Sequence, residues 1–311
     1  MIVKIFCHIP RENWIVDRIG SDFQKKSRNI VSFVDLNCDV IWLAAPWCWR
    51  QIPPAVLHSK LVACTIHHEV PEKFDENRRS EFLLRDSFVD VYHVPSDHTK
   101  NFIQKHTNKP IKKIGYWYDP ELWKPMDRTA CKEKLGINNG KFIVGSFQRD
   151  TEGSDLITPK FKKGPDRFCD YVIKMKNNGL DVHVLLGSWR RQYVINRLSQ
   201  AGIGYTYNEM PELSTISEMY SACDLYFVGS RYEGGPQSLL EATSKNVPIV
   251  STDVGMARDI LPSSCIVDMD KDFQIIIPSE EDIKIANNNV QNFNMNNHIY
   301  KYDNLFEELV T

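Results

Sequence analysis

Leu225-Tyr226-Phe227-Val228-Gly229-Ser230-Arg231-Tyr232-Glu233-Gly234-Gly235-Pro236-Gln237-Ser238-Leu239-Leu240-Glu241 is the stretch on which the rest of the chain is read. An apolar strand, Leu225 to Val228, runs into a turn and then into a helix that carries Leu239, Leu240 and Glu241. Adjacent glycines, Gly234 and Gly235, let the backbone come close to a ligand. Pro236 suits the first turn of a helix, where its missing N–H costs nothing. The remaining N–H groups of that turn can bind an anion. In α/β sheets such ligands lie at the carboxyl ends of the strands. Two carboxylates, Glu233 and Glu241, flank this turn. Beside a phosphate they are repelled unless they do something else, and accepting hydrogen bonds from a ribose diol is such a role. On the pair alone, a surface loop and a solvated helix face remain an open alternative.

The surroundings repeat one pattern. Upstream, Phe142–Phe147, Val182–Leu186 and Ile203–Tyr207 read as strands, and Pro165–Asn178, Arg190–Gln200 and Ile216–Ala222 as helices. Downstream, Ser238–Ser244 reads as a helix and Pro248–Ser251 as a strand. The same alternation fills the first part of the chain, with strands at Ile2–Ile9, Asp39–Ala45, Leu61–Ile66 and Val89–Val94 and helices at Asn13–Lys26 and Asp97–His106. Strand–helix alternation predicts parallel, doubly wound sheets, here two in series. Tyr116 to Pro125 is aromatic and proline-bearing, as an ordered linker would be, and a short helix follows at Arg128–Leu135. The tail from Ser279 is weakly apolar and Asn-rich, but Ile299, Tyr302, Leu305, Phe306 and Leu309 would share one face of a final helix.

A length of 311 residues fits about two domains, and 42% hydrophobic with 25% charged residues is ordinary for a globular chain. The net charge of -2 gives no global basic excess of the kind nucleic-acid binding needs. The densest basic clusters are Lys25 to Arg28, read as a solvated helix end with anionic lipid as the minor alternative, and Lys160 to Lys163. Eight cysteines, Cys7, Cys38, Cys48, Cys64, Cys131, Cys169, Cys223 and Cys265, include no Cys-x-x-Cys pair, and several lie in apolar runs. Reduced, buried thiols are expected. Met1 to Phe6 lacks the features of a signal peptide, and no stretch approaches the ~18 apolar residues of a membrane span. The expectation is a cytoplasmic protein with at most peripheral membrane contact.

With its flanks included, the opening stretch resembles the E-x7-E signature of retaining GT-B glycosyltransferases, family 4 in particular. Ser217 to Leu225 is similar to that family's segment before the signature, and Val247 to Gly255 to the strand and loop after it. The likeness is strong over residues 140 to 262 and weaker, though in order, before them. It implies a GT-B fold of two Rossmann-like domains facing a central cleft. Residues 1–122 would form the acceptor domain and 123–295 the donor domain, with a helix in 296–311 that packs back on the first. It implies that Glu241 grips the donor ribose, that Glu233 lies near the donor sugar and takes part in catalysis, and that Gly234, Gly235 and Pro236 line the sugar and phosphates. Many relatives have an aromatic between the two glycines, and this chain does not. The family's diphosphate-binding Arg and Lys resemble Arg149 and Lys163. Fixed cations there would stabilise a departing diphosphate without a metal. The Asp150–Phe161 loop between them is longer than usual, so Lys160 and Lys162 stay open as alternatives to Lys163.

At the end of the third predicted strand, His67 matches a family histidine near the donor sugar, which implies a catalytic-site residue that hydrogen-bonds the sugar or positions the acceptor rather than an obligatory base; a core or loop histidine is the alternative. His68 and Glu69 beside it are metal-ligand types, but no third ligand has credible spacing and no metal is expected. Relatives have a glycine pair after the first strand. Here the loop is Cys7-His8-Ile9-Pro10-Arg11-Glu12-Asn13-Trp14. His8, Arg11 and Trp14, with Trp47 and Trp49 after the second strand, are the acceptor-side candidates, since indole faces stack on sugar rings. Packing under a loop is the alternative for the two tryptophans. The expected reaction is transfer of a sugar from a UDP- or GDP-linked donor, with retention and without a cofactor, to a glycan, lipid or other hydroxyl. A DNA-base-modifying transferase, a nucleotide-sugar epimerase of the same fold and a non-catalytic binding module remain as other readings.

Overall fold

A computed structural model describes residues 1–137 and 140–311. It divides into two units, Met1–Trp117 with Phe293–Thr311, and Tyr118–Asn292. Each is built on one wholly parallel sheet.

The first unit has six strands: β1 Lys4–His8, β2 Ile30–Ser32, β3 Val40–Leu43, β4 Leu61–Thr65, β5 Val91–Val94 and β6 Ile111–Lys113. Their order is β2-β1-β3-β4-β5-β6, so the winding reverses between β1 and β3. β3 and β5 are buried along their whole length, as a sheet covered on both faces requires. The edge strands β2 and β6 lack such apolar runs, which is why periodicity passes over them. A helix at Glu76–Asp86 is also hard to read from its apolar spacing. It is announced instead by Asp75, whose carboxylate caps Arg78 N–H.

Among its described residues the second unit has five strands: β7 Phe142–Ser146, β8 Val182–Leu186, β9 Gly204–Tyr207, β10 Leu225–Val228 and β11 Ile249–Ser251. Their order is β11-β10-β7-β8-β9, with the reversal between β7 and β10. Phe168, Tyr171, Val172 and Met175 of helix Pro165–Asn177 bury against β7, β8 and β10. The Asn-rich tail contains a helix, Glu280–Val290, that its weak apolar content hides. It begins with a capping box between Ser279 and Asp282.

The aromatic linker divides between the units. Trp117 packs edge-on against Tyr302 in the first unit, and Trp123 against Tyr220 in the second. The last helix, Tyr300–Val310, lies in the first unit, where Phe306 sits 5.4 Å from Trp42 and 5.6 Å from Phe23. Its polar edge is bonded as well: Arg28 reaches both Glu307 carboxylate oxygens at 2.7 Å, and Asn29 Nδ2 donates to the buried Asp303 at 3.0 Å. Arg28 therefore ties down the final helix with a side chain that stays about half exposed to solvent. All eight cysteines are free and buried. No helix among the described residues is long and apolar enough to cross a membrane.

Candidate functional site

In the second unit the reversal of strand order sets the carboxyl ends of β7 and β10 side by side, where sheets of this kind leave a crevice for ligands. The turn after β10 and the segment before helix Pro165–Asn177 touch there through their backbones. Gly164 has φ +63°, and a Cβ on it would lie 1.8 Å from Gly229 O. Only glycine permits that approach. Arg231 N and Tyr232 N then donate to Lys162 O at 2.9 and 3.2 Å, and Arg231 holds Asp166 through two bonds of 2.9 and 2.6 Å. From the other side Thr252 Oγ1 donates to Ser230 O at 2.6 Å. A Cβ on Gly255 would meet Gly234 O at 2.6 Å. The turn is thus clamped between two glycines far away in sequence.

This clamp brings predicted residues together. Lys163 Nζ donates to Glu233 Oε1 at 2.5 Å, and Ser230 Oγ donates to the same oxygen at 3.1 Å. Gln148 Nε2 donates to Lys163 O at 2.7 Å, which ties the β7 end to the lysine segment. Gly234, Gly235 and Pro236 are buried, and Pro236 caps helix Gln237–Ser244 rather than entering it. Glu241, 6% exposed on that helix, accepts from Tyr220 OH at 3.0 Å. Burial, then Tyr226 and Glu241, hold the Tyr220 hydroxyl well above its usual range, so it stays a donor.

Arg149 stands on the loop after β7. Its Nε donates to Thr151 O at 2.7 Å, and its guanidinium lies 5.3 Å from the Trp189 ring centre. Two residues that the sequence reading passed over hold this loop. Arg191, wholly buried, donates to Ser146 O and, at 2.8 Å, to Gly187 O, and its Nε reaches Asp150 Oδ2 at 3.3 Å. Asp150 Oδ2 also accepts from Val194 N at 3.1 Å. A buried ion pair needs hydrogen bonds to support it, and these supply them for Arg191 and for Asp150 Oδ2 at the base of the loop, while Asp150 Oδ1 is buried without a hydrogen bond among the described residues. Sequence offers no signal for the pair, because its members lie 41 residues apart on two loops. Gly164-Pro165 was the readable sign of the clamp, a left-handed glycine before a helix-starting proline.

In the first unit the predicted residues sit on the loops that follow β1, β3 and β4. His67 is already engaged at both nitrogens. Nε2 donates to Ala44 O at 2.9 Å, so Nδ1 accepts from Tyr116 OH. Burial lowers its pKa to about 4 and keeps it neutral. Trp47, about half exposed, lies 6.0 Å from His67 ring to ring. Trp49 is buried, and its indole N–H donates to Glu81 at 2.8 Å, so it packs under the loop. His8 Nε2 is bonded to Gln51 Oε1 at 3.0 Å. Trp14 is exposed at the start of the first helix. Where relatives carry glycines, Arg11 and Asn13 themselves take φ +57°, and Asp17 accepts from both backbone N–H groups at 2.9 and 2.6 Å. Glu69 faces Arg78 at 3.6 Å. Among the described residues no group of three or more His, Cys, Asp or Glu side chains is placed to hold a metal ion.

The two doubly wound parallel sheets, with this clamped strand–turn–helix in the second, define a GT-B protein. Residues 128–264 match the family described as glycosyl transferases group 1. It is similar to the lipopolysaccharide core biosynthesis mannosyltransferase LpsB of Rhizobium meliloti, 28% identical over 194 residues, or 58% of this chain and 50% of the relative. The chain thus matches about half the length of that curated relative. Its fold resembles that of Anabaena HepE solved with UDP and glucose, with TM-score 0.75 and 14% identity over 98% of this chain and 100% of that one. It also resembles sucrose-phosphate synthase of Thermosynechococcus elongatus, with TM-score 0.68 and 15% identity over 97% of this chain and 80% of that one.

Proposed function

We propose that this chain transfers a sugar from a nucleoside diphosphate sugar to an acceptor hydroxyl, with retention at the anomeric carbon and without a metal ion. The observation that carries the reading is the meeting of Lys163, Glu233 and Ser230 at the strand-order reversal of the second unit, on a loop system that also holds Arg149. In the reaction the bond from the anomeric carbon to the diphosphate oxygen breaks, and the diphosphate leaves with the electron pair. A bond from that carbon to the acceptor oxygen forms, and the hydroxyl proton passes to the departing diphosphate oxygen. Arg149 and Lys163 offset the charge that builds on the departing oxygens, which is where preorganised cations act most strongly. Lys163 then exchanges Glu233 for phosphate, and Glu233 turns to the sugar. Glu241 accepts from the ribose hydroxyls in place of the Tyr220 hydroxyl. UDP and GDP are the favoured carriers. HepE, solved with UDP and glucose, supports a nucleotide-sugar donor by analogy of fold.

The acceptor would be a carbohydrate or glycolipid that meets the first unit near Trp47, Trp14 and Arg11. A thermal-shift series with UDP-, GDP- and TDP-sugars tests the donor half. A bound nucleotide at a hundred times its Kd raises stability by about 2.7 kcal/mol. The Glu241→Ala variant should weaken that nucleotide about ten- to a hundredfold. The proposal fails if no sugar nucleotide shifts the midpoint and none is turned over. An unchanged affinity in Glu241→Ala would remove the ribose role alone.

A further inference from the structure

Between Arg149 and Lys163 the chain makes a folded hairpin. Thr151 and Pro159 form an antiparallel bridge, and Glu152 N donates to Thr158 O at 2.8 Å. The tip is wound around Asp155, which accepts from Ile157 N and Thr158 N at 3.1 Å each. The hairpin closes where Lys160 N donates to Asp150 O at 2.7 Å, and Lys163 N in turn donates to Lys160 O at 2.8 Å. The extra length of this loop is therefore not slack. It returns the chain so that Lys160 begins the turn carrying Lys163, directly beside the residue that follows Arg149.

Three facts set Lys160 apart from the other cations here. Its side chain is partly buried, and its ammonium has no hydrogen-bond partner among the described residues. Burial, and then the like charges of Lys162, Lys163 and Arg149, lower its pKa to about 8, with Glu152 as the opposing charge. Lys163 has Glu233, and the backbone carbonyls of Lys162 and Lys163 are taken by the turn and by Gln148. A half-buried cation held among cations is unfavourable unless an anion of high charge density joins them.

The geometry points to Lys160 as a third cation of the diphosphate site, delivered by the Thr151–Pro159 hairpin alongside Arg149 and Lys163. This rests on the donor reading above and extends it to a residue that neither the signature nor its two basic partners include. The ligand chemistry is a diphosphate, whether carried by a nucleoside or free. Lys160 needs its proton for this role, so diphosphate affinity should fall as pH rises through its pKa. The bound anion itself holds the proton on and shifts the fall upward.

Calorimetric binding of UDP, GDP and inorganic pyrophosphate between about pH 7 and about pH 9.5 tests this, a range in which the usual lysine pKa of about 10.4 would leave the charge intact. The unaltered protein should lose about tenfold in affinity across that range, the worth of one charge-assisted bond. Lys160→Met should bind about tenfold more weakly at the lower pH and show no further alkaline fall. Lys160→Arg should restore the affinity and abolish the fall, because guanidinium keeps its proton. Wild-type affinity or a wild-type fall in Lys160→Met overturns the assignment. If that variant does not fold, a wild-type fall retained in Lys160→Arg overturns it equally. Binding of pyrophosphate with the expected fall, but of neither nucleotide, would sink the donor reading and leave Lys160 standing. Failure of all three ligands to bind would sink both.

Discussion

The carboxyl ends of the two sheets solve one problem by different means. In the second unit the chain uses glycine. Gly164 and Gly255 have positive φ, and each abuts a backbone carbonyl that a side chain would strike. In the first unit Arg11 and Asn13 adopt a similar left-handed conformation without glycine, held by the Asp17 carboxylate. The second solution leaves side chains on the loop and spends local strain to keep them there. The reactive groups differ likewise. Lys163 and Glu233 satisfy each other in a partly exposed pair, whereas His67 is bonded to its own unit at both nitrogens. One end is fixed by backbone shape and the other is furnished with exposed side chains on its loops.

The sharpest way to break this comparison is Gly164→Ala. The added methyl group must displace Gly229 O and sit in a left-handed conformation, so the second unit should lose ~2–6 kcal/mol. Chemical denaturation followed by hydrogen exchange on β7 and β10 would show it; exchange unchanged from the wild type would mean the clamp is soft. Next in size, Lys163→Met should lower kcat/KM about a hundred- to a thousandfold while leaving the melting temperature nearly unchanged. A loss of stability instead of turnover would make the Lys163–Glu233 pair structural.

Acid should act on the first unit through His93. Its Nε2 donates to Ile114 O at 2.8 Å, so Nδ1 accepts from Thr65 Oγ1, which itself accepts from Trp42 Nε1. Burial lowers its pKa to about 3 from 6.5. Between those values the unfolded chain binds a proton that the folded one refuses, so stability falls as pH drops below 6.5. The difference in melting temperature between wild type and His93→Gln should therefore shift steadily in favour of the variant as pH is lowered. A difference constant with pH would contradict it. The smallest effect belongs to Asn13→Gly, which should stabilise by at most ~1 kcal/mol by relieving the left-handed strain. A clear loss would show that the Asn13 side chain does more than occupy the turn.

Much of the fold was legible because buried parallel strands are continuous apolar runs. β3, β4, β8 and β10 can be read directly from Val, Ile, Leu and Cys clusters. The edge strands β2 and β6 and helix Glu76–Asp86 were not, since each buries too little for a periodic signal and depends on neighbours or a cap. The residues of the Glu233–Glu241 turn were legible for a related reason: a turn that must bend sharply and cap a helix has few sequences open to it. The loops of the first unit were less so. Trp47 and Trp49 look alike in sequence, yet one is half exposed and the other is buried on Glu81.

By itself the amino-acid sequence determined the two successive strand–helix alternations, the Glu233–Glu241 turn and the final amphipathic helix, because those depend on local periodicity and on glycine and proline geometry. Only the tertiary structure decided which lysine meets Glu233, that Arg191 and Asp150 brace the Arg149 loop, that Arg28 ties down the last helix, and that the long loop brings Lys160 back to Arg149. These contacts join residues tens to hundreds of positions apart, and their energies arise from burial and charge that exist only once the sheets have formed. The stretch around Glu233 announces a tight glycine turn before a helix; its partner, 70 residues away at Lys163, is a property of the folded unit.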